Sequence, residues 1–283
     1  MRIQPMSEIH INFTIENGVE LYFQTSNDAT EVDLSGRSIV EIDLSPLTEC
    51  TNLRNLNLSA NFIRSVNLES LGMCTKLEKL SLGSNLLSSI DLSPLATCTN
   101  LDTLSLEINK LQRIDLSGLQ NCSRLQEINL HSNDFQNIDV SPLGKCSALR
   151  FVRLDDNQLY DIDLEPFSNC SRLQELFLEN NQFEELDLSP LGNCIFLEGL
   201  WLRSTQILEI ELHPLMECKN LLWLDVSENQ MKTVDVSPLF YCSDFEKFLI
   251  DETVPMKAHV ELTDEDWPMA FDSIKERIFW VKQ

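Results

Sequence analysis

The side chains in this sequence that could do chemistry fall into columns. Nine cysteines, Cys50, Cys74, Cys98, Cys122, Cys146, Cys170, Cys194, Cys218 and Cys242, recur every 24 residues. Thiols in close pairs hold zinc, and an even number at varied spacings makes a disulfide framework. Nine thiols at one repeat position fit neither pattern, so they read as small buried hydrophobes at a tight corner. A second column is acidic: Asp43, Asp91, Asp115, Asp139, Asp163, Asp187, Glu211 and Asp235, with Asn67 in the same place. Carboxylates suit calcium, but identical groups in a straight row rarely surround one ion. The column therefore reads as a solvated or locally hydrogen-bonded ladder, with a cation-binding stripe as the alternative. Four histidines, His10, His131, His213 and His259, lie far apart in the chain. No glycine-rich phosphate loop, nucleophile elbow or metal-ligand spacing accompanies them, so no catalytic residue, cofactor or metal is expected.

These columns need a repeating element to position them. Leu53, Leu77, Leu101, Leu125, Leu149, Leu173, Leu197, Leu221 and Phe245 are spaced 24 residues apart without a slip. One unit is L-x-x-L-x-L-x-x-N-x-L-x-x-I-D-L-S-P-L-x-x-C-x-x, as at Leu101, Leu104, Leu106, Asn109, Leu111, Ile114, Leu116, Leu119 and Cys122. Leu104 and Leu106 flank polar Ser105, the period-two alternation of a strand with one buried face. Ser93-Pro94-Leu95 and its copies read as the start of a short 3-10 turn, with Ser as cap and Pro at the first helical position. The Asn column, from Asn61 through Asn181 to Asn229, suits side chains that satisfy backbone groups turning away from the strand. Thr205 interrupts it, and Arg37 takes its place in a weaker first copy beginning at Ala29.

The L-x-x-L-x-L-x-x-N stretch at Leu53–Asn61 and its copies resembles the leucine-rich-repeat family, over residues 29 to 252. The resemblance implies an α/β solenoid, a horseshoe whose curved parallel β-sheet lines the concave face, with short 3-10 or helical turns on the convex face. It implies a fold and not a function.

Residues 1–28 are expected to cap that solenoid. Ile9–Ile15 and Val19–Phe23 alternate apolar and polar around Asn17-Gly18, a hairpin signal. Residues 253–283 are expected to form a C-terminal cap. Thr263-Asp264-Glu265-Asp266 has N-cap character, and Trp267, Phe271, Ile274 and Ile278 would share one face of a helix over 264–278, packed on Phe240 and Tyr241.

Composition narrows the partners. The chain of 283 residues carries 45 Asp and Glu against 21 Lys and Arg, a formal net charge of −24. That charge repels phosphate backbones and anionic membranes and favours partners with basic groups. No apolar run reaches the roughly 20 residues of a membrane span. The start, Met1 to Ser7, lacks the apolar run of a secretory signal, so a cytoplasmic location is expected. Asn-x-Ser/Thr sequons at Asn12, Asn57, Asn121 and Asn169 then read as coincidences of a Ser- and Asn-rich repeat.

Function should sit where outward strand positions break the repeat's habit. The first five coils carry small or polar residues there. The next four carry Phe151, Phe177, Trp201 and Trp223, with Arg150, Arg153 and Arg203 among them. Phe196, just before the irregular unit Leu197–Asn220, extends the set. Aromatics with arginines dominate interface hot spots. The expected function is a non-catalytic protein–protein interaction module or adaptor, using Phe151, Arg153, Phe177, Phe196, Trp201, Arg203 and Trp223. The expected partner is a protein with basic and apolar groups. Alternatives are a self-associating structural scaffold, or an enzyme with a concave-face pocket using Glu175 or Asp225.

Overall fold

The computed structural model describes residues 7–263 and 267–282. The chain divides into two compact units, Met1–Phe135 and Gln136–Gln283.

In the first unit, β1 (Glu8–Ile15) and β2 (Glu20–Ser26) form the expected antiparallel hairpin, with Gly18 at φ +80° in its turn. The other edge of β1 pairs with β4 (Ile39–Ile42), a strand of the first repeat. The hairpin is thus part of a three-stranded sheet completed by a strand of the first repeat. Strands β3 (Glu31–Asp33), β5 (Asn55–Asn57), β6 (Lys79–Ser81), β7 (Thr103–Ser105) and β8 (Glu127–Asn129) pair in parallel, each residue opposite its equivalent 24 positions away.

In the second unit, β9 (Phe151–Arg153), β10 (Glu175–Phe177), β11 (Gly199–Trp201), β12 (Trp223–Asp225) and β14 (Lys247–Leu249) pair in the same parallel register. A second sheet joins β13 (Val234–Asp235), β15 (Met256–His259) and β16 (Ile278–Val281), all parallel.

The strands of the 24-residue ladder are only three residues long because each repeat must turn back within its period. The leucines of each unit, such as Leu53, Leu56 and Leu58, are fully buried or nearly so. Each Asn of the ladder closes a loop of the coil before it. Asn61 donates to Leu34 O (3.0 Å) and Leu58 O (2.9 Å) and accepts from the N–H of Arg37 and Ile39 (3.0 Å each). Asn181 does the same in the second unit, with Leu154 O, Leu178 O and the N–H of Leu159. Where Thr205 interrupts the column, its hydroxyl donates to Leu202 O and Asn229 holds its N–H. Asp251 ends the series, its carboxylate accepting the N–H groups of Glu228 and Asn229.

The residue before each ladder Asn lies in the left-handed region, among them Ala60, Ile108, Asn180 and Glu228, with φ from 53° to 56°. Only the first copy places Gly there, at Gly36.

The acidic column is locally hydrogen-bonded. Asp91 accepts the N–H of Ser93 (2.8 Å), Asp187 that of Ser189 (2.8 Å) and Glu211 that of His213 (2.9 Å), each two residues on. Those bonds, with the serine hydroxyls, hold the carboxyls of Asp43, Asp91, Asp115 and Asp187 below the usual range. This corrects the role expected of the serines. Leu92 is the N-cap residue and makes no side-chain cap bond; the aspartate before it secures the turn that Ser93 and Pro94 open. An Asp two residues ahead of a free N–H reaches it in a closed local ring, which the shorter serine side chain inside the turn cannot do.

All nine cysteines are buried. Seven of the thiols point to the carbonyl of a leucine or phenylalanine 27 residues earlier, as Cys98 to Leu71 O (3.3 Å) and Cys194 to Phe167 O (3.4 Å), and Cys50 points to Ser26 O. Burial pushes Cys74, Cys194 and Cys218 up to about 12.

The C-terminal segment departs from expectation. Residues 264–266, which carry most of the expected N-cap, lie outside the described residues. Beyond them the chain forms 3-10 turns at Met269–Phe271 and Lys275–Arg277 and then β16, not a helix to Ile278. Pro268 removes a donor, and Ile278-Phe279-Trp280-Val281 is a β-branched and aromatic run that gains a ladder against β15. The packing partner was legible: Phe240 meets Phe271 at 4.7 Å, Trp267 at 5.3 Å and Trp280 at 6.2 Å between ring centroids. Tyr241 remains exposed, with Lys219 over its ring. No helix among the described residues is long and apolar enough to cross a membrane.

Candidate functional site

Side chains at alternate positions of a strand share a face. In the second unit the solvent face therefore carries three columns. One holds Phe151, Glu175, Gly199, Trp223 and Lys247; the next holds Arg153, Phe177, Trp201, Asp225 and Leu249. Asp155, Glu179 and Arg203 follow two residues further along their coils.

The structure brings four of the expected residues into one row. Phe177 and Trp201 stack with centroids 5.7 Å apart and planes 2° from parallel. Trp201 meets Trp223 at 6.1 Å with a 41° tilt. At the other end the Arg153 guanidinium lies 4.7 Å from the Phe177 ring centre. Such ring pairs and cation–π contacts each stabilise by about 0.5–1.5 kcal/mol. All four side chains are half-buried, so the row keeps a solvent-facing edge.

Arg153 is also fixed from behind. Its Nε and Nη2 donate to the two carboxylate oxygens of Asp155 at 3.2 and 3.1 Å. Asp155 is 2 % exposed, so this is a buried acid satisfied by a fork-shaped donor. Phe151 borders the row, with Arg150 5.2 Å from its ring centre. Arg203, at the far side, is exposed and pairs with Glu228, which also accepts from Ser204 Oγ (2.7 Å).

Gly199 makes room for Trp201. A Cβ at Gly199 would lie 3.1 Å from Trp201 Nε1 and 3.6 Å from Glu175 Cγ. The indole therefore leans over the glycine, and its N–H is buried against Glu175 without a well-formed hydrogen bond. Sequence reasoning missed this glycine as part of the site; the signal was its position, the side-chain-free place in an outward column.

Phe196 is not part of the row. It is 50 % exposed, beside Ile195 at 50 %, and makes no ring contact with the others among the described residues. It precedes β11 in a turn, so its direction is not set by the pleat that aligns the rest.

Two carboxyls on this face are perturbed. Burial, then the neighbouring Glu198, raise Glu175. Burial raises Glu179 to about 7, with Asp155 adding to the shift and Arg153 opposing it. Glu179 Oε2 is buried without a hydrogen-bond partner. Asp225, the other acid considered for catalysis, is committed to structure, accepting the N–H of Ser227 (3.0 Å) and its hydroxyl (2.6 Å). A groove of about 880 Å³ in this unit lies elsewhere, among Asp163, Asp187, Leu208, Glu211 and Lys232. Neither Glu175 nor Asp225 lines it.

Comparison with solved structures gives the same architecture. An internalin (inlF) from Listeria monocytogenes is similar at 23 % identity and a TM-score of 0.56, over 84 % of this chain and 78 % of that one. An internalin C2 (inlC2) from the same organism is similar at 26 % identity and a TM-score of 0.52, over 80 % of this chain and 81 % of that one. Among curated proteins none matches. The sequence pattern of the BspA type leucine-rich repeat region matches in six copies, over residues 2–88, 49–165 and 144–256. With most of its length matched in this way, the chain belongs to the BspA-type leucine-rich-repeat family.

Proposed function

We propose that the chain is a non-catalytic protein-binding module that holds its partner on the solvent face of the second unit's parallel sheet. One observation carries the reading: Phe177, Trp201 and Trp223 form a continuous, half-exposed aromatic row at positions where the first unit has only small polar or charged residues, such as Asn57, Ser81, Lys79 and Glu127. A core explanation does not account for rings on the outward side of a three-residue strand. Contiguous exposed apolar surface on a soluble chain usually marks an interaction site. The rim of Glu175, Glu179, Glu198 and Glu228 and the net charge of −24 favour a partner with basic groups around an apolar anchor. Nine buried thiols favour a reducing compartment as the place of work.

Affinity capture with the wild type beside a Phe177→Ala/Trp201→Ala/Trp223→Ala variant tests the reading, circular dichroism confirming that both baits fold. A protein retained by the wild type and lost by the folded variant supports it. Identical captures from the two baits would remove the aromatic row from consideration.

A further inference from the structure

The charges around the aromatic row do not balance. Arg153 is held by Asp155 and the Phe177 ring and offsets Glu175 only in part, and Arg203 is held by Glu228. Lys247 is three strand spacings from Glu175, about 14 Å at the usual separation. Glu175 and Glu198 are left beside each other, on β10 and immediately before β11. Glu198 accepts only an amide bond, from Gln174 Nε2 (2.6 Å), and raises the Glu175 carboxyl by repulsion. Neither acid joins an ion pair among the described residues. Both are half-buried; Glu175 borders the Trp201 indole that leans over Gly199, and Glu198 immediately precedes that glycine.

Resting on the partner-binding reading above, we propose that the partner seats a lysine or arginine side chain against Glu175 and Glu198, its alkyl stem lying along Trp201 and Trp223. The chain shows this mode of contact in the same row, where Arg153 bridges an acid and a ring. Glu175 and Glu198 offer the same two components beside the Trp201 indole, and there burial and Glu198 outweigh the attraction of Arg153. A cation placed there relieves a like-charge pair in a partly desolvated setting, where charge pairing acts more strongly than in open solvent. An anionic or purely apolar anchor would leave the two acids crowded and further desolvated. The occupant is therefore a peptide segment with a basic residue next to apolar ones.

The full chain, immobilised, is used to select from a displayed library of random twelve-residue peptides at pH 8 and 150 mM salt. Enriched peptides are then synthesised and titrated against four proteins by fluorescence anisotropy. These are the wild type, Glu175→Gln/Glu198→Gln, Trp201→Ala/Trp223→Ala, and Glu16→Gln/Glu20→Gln, which removes equal charge from the N-terminal cap. The expected peptides share a Lys or Arg beside an apolar residue. Their affinity falls at least tenfold with Glu175→Gln/Glu198→Gln and with the tryptophan variant, and stays within twofold with the cap variant. Dependence on the tryptophans without dependence on Glu175 and Glu198 overturns the cation seat and leaves the binding face standing. Peptides indifferent to the tryptophans, or a library with no enrichment, overturn both. Equal losses with the cap variant reduce the effect to overall charge and overturn the seat.

Discussion

Glu179 ties the stability of the second unit to pH in a direction opposite to that of most carboxylates. Its carboxyl titrates at about 7 in the folded chain against 4.5 for an unperturbed glutamate, chiefly through burial. Between those two values the folded chain still holds a proton that the unfolded chain has released. Stability therefore falls as pH rises from about 4.5 to about 7, and the effect is complete above that window. The full shift corresponds to about 3 kcal/mol, and solvent screening of a side chain that is only partly buried brings it to about 2 kcal/mol. Glu179→Gln replaces the carboxyl with a neutral group of the same shape, so its stability lacks this component. Urea unfolding of both proteins from pH 5 to pH 8 gives the difference directly and cancels the repulsion of the whole acidic chain. The variants should match near pH 5, and Gln should be the more stable by about 2 kcal/mol at pH 8. A difference that does not change with pH refutes the burial argument. A wild type that gains on the variant as pH rises would mean that Arg153 outweighs burial and Asp155.

Three further outcomes follow from the packing. Asn181→Ala removes one acceptor and one doubly used donor from a buried loop. The loss of about 3 kcal/mol from unpaired backbone groups should appear in urea unfolding; under 1 kcal/mol would show that water replaces the side chain. Ile108 is a β-branched residue at φ 53°, and it is half-exposed, so Ile108→Asn should raise stability by about 1 kcal/mol in thermal unfolding, with no change expected at a relaxed position. Buried thiols pushed up to about 11 or 12 should resist a thiol reagent at pH 8 until the chain unfolds, when all nine react. Fast labelling of the native chain would contradict the burial of Cys194 and Cys218.

The fold was legible because a 24-residue period leaves one way to bury leucines, cysteines and asparagines at fixed places. The aromatic row was legible for the same reason: period two alone assigns Phe177 and Trp201 to the outward side. Gly199, Glu179 and the failure of Phe196 to join are not properties of a period. They depend on which way a particular indole leans, how much water it displaces and how a turn is aimed. The C-terminal segment misled because Trp267, Phe271, Ile274 and Ile278 have helical spacing, while Pro268 and a β-branched ending favour turns and a strand that docks on β15. The acidic column stayed ambiguous until the N–H groups two residues on supplied its partners.

The direction of the Asn ladder bears on how the chain leaves the ribosome. Asn61 accepts the free N–H groups of the coil that precedes it, and so does Asn181. The cysteine thiols reach backwards in the same sense. A newly made coil therefore emerges with open backbone groups and is finished only when the following 24 residues have been translated. Synthesis from the N-terminal hairpin onward supplies these closures in the order in which they are needed, each coil sealing the last. A nascent chain halted between two ladder asparagines would expose one unfinished loop, always the most recent.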